Sequence, residues 1–278
     1  ATFPDSNEIE EFCNKVPMFD KSDVRDVITR SCGNYKEIEK VLLSKEKFAM
    51  DILKEVYDKD LRDVNSEVFI DHLKTFNNSY NSSKQLEYVL NLRIALEKIT
   101  PWRSLLRKRF VKQEKDFTND PQNIAKWINK NIELNNIDNY YGVDISPKGV
   151  LKIKQADKTS IEILFVAICR TFNIESRYEW ATGKAQYRLN SNESWKYADL
   201  FKAKKESKEK DKEINNCTLI VYNDSKNSMK PEYYSQFTIQ KLVDNSFITL
   251  DYEYDPHFLS FPDTLSLSEG YYRLMVGN

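Results

Sequence analysis

The chain has 278 residues, with 42 Lys and Arg against 43 Asp and Glu and a formal net charge of -1. A 40% hydrophobic, 31% charged chain of this length is long enough for roughly two or three folded domains and is not disordered throughout. Balanced charge gives no concentrated basic face for nucleic acid, and six glycines with no G-x-G-x-x-G or G-x-x-x-x-G-K-[ST] leave no phosphate-cradling loop. No apolar run reaches the roughly 18 residues of a membrane-spanning helix. The spacing of Cys13, Cys32, Cys169 and Cys217 matches no zinc pattern, so no metal or other cofactor is expected. Whether Cys13 and Cys32 pair stays open.

Residues 1–118 read as a helical region. The segment DKSDVRDVI opens one helix with Asp20 or Ser22 as its cap, and Gly33 and Asn34 break it. In the next run, Ile38, Val41, Leu42, Phe48, Ile52, Leu53 and Val56 are mostly three or four apart, as one apolar stripe requires, without Gly or Pro between them. NSEVFIDHLKTFNNSY repeats the pattern more briefly. QLEYVLNLRIALEKIT carries it on to Pro101, where PWRSLLRKRF begins. The basic residues between 103 and 112 read as a solvated helix face.

Residues 119–201 read differently. Asn119 or Asp120 caps a helix with Pro121 in its first turn and Ile124, Trp127, Ile128 and Ile132 on its buried side. A loop rich in turn formers leads to TSIEILFVAICRTF, the most apolar helix of the chain. Thr159 and Glu162 are spaced as a capping box, and Asn173 stands where a left-handed residue ends the helix. SRYEWAT and KAQYRLN alternate as strands around Gly183, and SWKYADL follows as a third. Residues 202–216 are a charge run, expected as an exposed loop or linker. From 217 to 278 the period is two: CTLIVYN, QFTIQKLV, SFITLDYEY and YYRLMVG predict part of a β-sandwich, with a continuation expected beyond Asn278.

The sequence from 119 to 201 resembles the core of the transglutaminase family. The resemblance is carried by Ala125-Lys126-Trp127-Ile128, by Ser146-Pro147-Lys148-Gly149-Val150-Leu151, by Arg170 followed by N-I-E-S-R ending at Arg177, and by Trp195 to Asp199. It implies an α+β chain: an N-terminal helical region, a papain-type core and a C-terminal partial β-sandwich. It also implies a cysteine nucleophile at a helix start, a histidine on a strand and an orienting acid. Twelve residues before Arg170 stands Lys158, not cysteine, and the strand around Gln186 has no histidine. Only Asp199 keeps its place, so the triad positions are Lys158, Gln186 and Asp199. The run Ala156-Asp157-Lys158-Thr159-Ser160 is similar to that of a bacterial group in which the cysteine is replaced, many of whose members look exported or membrane-anchored. The chain itself opens ATFPDSNEIEE, without a signal-peptide pattern.

The expected function is therefore a degenerate enzyme whose cleft binds peptide or glycan. Tyr140, Tyr141, Trp180, Tyr187, Ser160 and Trp195 are candidate lining residues. Two alternatives stand beside it. One is an architectural domain of a larger surface protein. The other is an amidase or peptidase using Ser160 with Lys158 or Lys184 as its base, against which Thr159 and Ser160 read as helix caps. Cys169 lies three turns, about 16 Å, along the helix from its start and is a poor nucleophile candidate.

Overall fold

A computed structural model of the chain describes residues 3–76, 83–139, 142–201, 216–224, 226, 229–243, 246–252 and 257–277. The fold is α+β and divides into two compact units, one of Ala1–Tyr178 with Lys184–Lys202 and one of Glu179–Gly183 with Ala203–Asn278. The helical region and the core expected as separate segments thus pack within one unit.

The first unit opens with α1 (Ser6–Lys15), α2 (Lys21–Arg30), α3 (Tyr35–Leu43), α4 (Ala49–Glu55), α5 (Asp58–Asp63), α6 (Ser66–Lys74) and α7 (Ser83–Leu90). Asp20 caps α2, accepting from the N–H groups of Ser22 and Asp23. The apolar stripe is buried as its spacing requires, with Ile38, Val41, Leu42, Ile52 and Leu53 all at 2% exposure or less. Each such side chain contributes roughly 1.5–3 kcal/mol. The stripe belongs to two helices, because Lys45 and Phe48 take left-handed backbone angles (φ 56° and 68°) and turn the chain between α3 and α4.

The helix expected up to Pro101 ends at Leu90. Residues 91–99 form a loop whose backbone is satisfied from elsewhere. The Glu97 carboxylate accepts from Ile94 N–H (3.0 Å) and Ala95 N–H (2.8 Å). The Asn91 and Arg93 carbonyls accept from Arg170, and Arg93 pairs with the buried Asp60. Next come α8 (Arg103–Phe110), α9 (Glu114–Asn119) and α10 (Gln122–Asn131). The solvated-face reading of the basic run holds at Lys108 and Arg109 and fails at Arg103, which is 0% exposed. Its guanidinium donates to the carbonyls of Val89 and Arg170 and to Asn173 Oδ1.

A short parallel pair, β1 (Glu133–Leu134) with β2 (Gln155–Ala156), brackets α11 (Pro147–Ile153), which Ser146 caps with Pro147 at its first position. Helix α12 (Lys158–Thr171) follows, buried at every residue from Ser160 to Thr171. It packs against α7, α8, α10, α11 and β4 (Lys184–Arg188). β4 lies between β3 (Glu175–Glu179) and β5 (Lys196–Tyr197) in a three-stranded sheet. Asn173 ends α12 in the left-handed conformation, φ 61°, as expected.

The second unit has two small sheets. β6 (Asn216–Val221) pairs antiparallel with β9 (Asp263–Ser268), and β7 (Phe237–Val243) lies between β8 (Ser246–Thr249) and β10 (Tyr272–Val276). β7 supplies Phe237 and Ile239, and β9 supplies Leu265 and Leu267, to one apolar core. β9 was not expected from the sequence; its alternation rests on two leucines among Ser and Thr. The charge run 202–215 lies outside the described residues. All four cysteines are free thiols, so Cys13 and Cys32 do not pair.

Removing Arg103 strands three acceptors, two of them buried carbonyls. Arg103→Ala is expected to cost about 3–5 kcal/mol in chemical denaturation, against less than about 0.5 kcal/mol for Arg109→Ala, which is exposed.

Candidate functional site

The start of α12 is built by the loop before it. Asp157 is the N-cap and accepts from Ser160 N–H (3.0 Å), from Ser160 Oγ (2.7 Å) and from Asn139 Nδ2 (2.8 Å). Ser160 Oγ in turn accepts from Ile145 N–H (2.8 Å), and the residue is 0% exposed. Ser160 therefore joins the 142–145 segment to the helix. Asp144 lies in the same loop, its carboxyl pushed up by burial and by the charge of Asp157.

Lys158 occupies the first helical position and is exposed. Its backbone N–H donates to Asn136 Oδ1 (3.0 Å), and its Nζ stands 6.0 Å from the Phe201 ring centroid. Glu162 is one turn further on. The capping box expected of it does not form, because Asp157 and not Thr159 caps the helix, and the Glu162 side chain turns to β4. Its Oε2 accepts from Ala185 N–H of β4 (2.7 Å), and the residue is 2% exposed. Burial raises its pKa to about 7; the Ala185 N–H and then the charges of Lys158 and Lys184 work in the opposite sense. Lys184, next to Ala185, holds its Nζ 5.6 Å from the Tyr197 ring centroid.

The chain leaving β5 passes over this end of the unit. It is fixed by Gln122, which donates to Tyr197 O and accepts from Asp199 N–H, and by Asn129, which donates to Asp199 O and accepts from Phe201 N–H. Phe201 has φ 66°. Asp199 is exposed and bound to α10 through its backbone.

The other expected residues divide. Gln186 is buried and accepts from Arg177 Nε (2.9 Å). Tyr187 is a core residue at 4% exposure, its ring 6.0 Å from that of Phe165 on α12. Trp195 packs edge-on against Tyr88, with the Arg177 and Arg188 guanidinium carbons 4.7 and 4.4 Å from its ring centroid. That makes it part of an arginine–aromatic cluster. Trp180 belongs to the second unit. Tyr140 and Tyr141 lie outside the described residues. Cys169 is fully buried in α12, and burial pushes its thiol well up. His72 is buried among the N-terminal helices, and His257 pairs with Asp263 in the second unit.

Lys158 and Lys184 thus both act on the Glu162 carboxyl through their charge. Sequence reasoning weighed the two lysines as bases and missed the role of Glu162. The signal for it was a lone carboxylate inside the most apolar helix of the chain.

The sequence profile of the transglutaminase-like superfamily matches residues 105–227, so the chain contains a transglutaminase-like domain. The matched region opens inside α8, contains α12 and the β3–β4–β5 sheet, and runs past β6. No curated protein and no solved structure matches the chain. Among the described residues, no helix is long and apolar enough to cross a membrane.

The raised pKa of Glu162 carries a stability consequence. Between its ordinary 4.5 and about 7 the folded state holds a proton that the unfolded state releases, so stability falls as pH rises through this window. The full effect is at most about 3 kcal/mol. Glu162→Gln is expected to raise the melting temperature at pH 8 by several degrees, with the difference shrinking toward pH 5. Calorimetry across that range measures it.

Proposed function

We propose that the transglutaminase-like domain is catalytically degenerate and serves as a binding module for peptide or glycan, engaged at the start of α12. In the setting that the resemblance implies, this is an exported bacterial protein. The observation that carries the reading is the state of the nucleophile end of the helix. Acyl transfer needs a thiol or hydroxyl that a carbonyl carbon can approach, beside a group that takes its proton. Lys158 stands where the family places its cysteine, and an ammonium is no nucleophile. Ser160, two residues on, is completely buried and holds the cap and the preceding loop together. Cys169 is sealed in the middle of the helix.

The same facts speak against an amidase built on Ser160. An exposed ammonium with an aromatic ring above it and a second lysine nearby suits recognition of a ligand's polar groups.

A serine-reactive fluorophosphonate is expected to leave the folded protein unlabelled from pH 5 to 9. Ser160→Ala should lower stability by about 1–3 kcal/mol, because it leaves the Ile145 N–H and part of the cap unmet. Labelling that disappears in Ser160→Ala would overturn the reading. On peptide and glycan arrays, Lys158→Glu should weaken the binding seen with the native protein at least tenfold; unchanged binding contradicts engagement at the start of the helix.

A further inference from the structure

We propose that Lys158, Lys184 and Glu162 form a receptor for a carboxylate carried on a slim stem, such as a glutamate side chain or the C-terminus of a peptide; this rests on the binding-module reading above. Three observations carry it. Lys158 and Glu162 are four residues apart and share one face of α12. The 2.7 Å bond from Ala185 N–H to Glu162 Oε2 fixes the carboxyl beside β4, where the charges of both Lys158 and Lys184 act on it. Among the described residues neither ammonium closes an ion pair, and the nearest helix-cap carboxylate, Asp157, is taken up by Ser160 and Asn139.

Glu162 supplies the specificity. It is 2% exposed, with one oxygen bonded to β4 and Oε1 without a hydrogen-bond partner among the described residues. In its neutral form a carboxyl group can donate one hydrogen bond, and a ligand carboxylate is the matching acceptor. The two ammonium groups supply the opposite charge. The charged groups acting on Glu162 are Lys158 of its own helix and Lys184 of the strand packed against it. Glu162 is recessed, so the ligand's carboxylate has to reach in. An amino-acid side chain or chain terminus can do so, whereas a uronate carboxylate is held directly against its pyranose ring.

The test uses the full chain, folding of each variant being checked by circular dichroism. Arrays of acetylated peptides and of uronic-acid oligosaccharides are screened, and binders are measured by isothermal titration. Peptide binders are expected to carry a carboxylate whose replacement by the amide lowers affinity about tenfold or more. Affinity should fall as pH rises above about 7, where Glu162 loses its proton, by up to about tenfold per pH unit. In Glu162→Gln that dependence should disappear, and Lys184→Ala should weaken binding. Peptides bound equally well as acid and amide, or binding confined to uronates, would overturn the receptor and leave the binding module standing. Absence of any peptide or glycan binder would overturn both.

Discussion

Helix α12 is buried from Ser160 to Thr171, so each polar group it carries has to be satisfied inside the protein. Most of the first unit's architecture answers that requirement. Near its C-terminal end, Arg170 donates to the carbonyls of Asn91, Arg93 and Ser176 and is so thoroughly desolvated that its pKa drops to about 10. These bonds give residues 91–99 their non-helical path. Arg103 closes the same region from α8 by bonding the Arg170 carbonyl and the Asn173 side chain. The N-terminal helices are thus tied to the core through buried guanidinium groups as well as apolar contact.

At the other end the same requirement shapes the site. Ser160 and Asp157 bind the preceding loop, and Glu162 reaches across to β4. A serine used in this way is a joint between loop and helix. A glutamate used in this way becomes a weak acid, because the helix and strand that cover it remove the water that would stabilise its charge. Lys158 is exposed and Lys184 half-buried, and the charge of each acts on that carboxyl. The result is a buried carboxyl acted on by two lysine charges, in a region whose sequence profile is transglutaminase-like.

Much of this was legible in the sequence. Apolar spacing located the stripes of α3, α4 and α10, Asp20 was readable as a cap, and Asn173 as a helix end. A residue count from Arg170 pointed to Lys158. Illegible were the polar groups whose partners lie far along the chain. Arg103 looked like one more solvated cation because nothing local announces its bond to the Arg170 carbonyl, 67 residues away. Glu162 looked like a cap partner because the spacing from Thr159 was right; its true partner, Ala185, is 23 residues on. Tyr187 could be assigned to core or cleft only once β4 was seen to turn it toward Phe165. Periodicity reports where apolar side chains go, and it is silent about buried polar ones.

The central claim is that the start of α12 holds a buried, weakly acidic carboxyl under the charge of two lysines. The most direct measurement is an NMR titration of the Glu162 side-chain carboxyl carbon in the intact protein, assigned through Glu162→Gln. A midpoint near 7 is the result the account predicts. A midpoint in the ordinary range near 4.5 would place that carboxyl in water and contradict it.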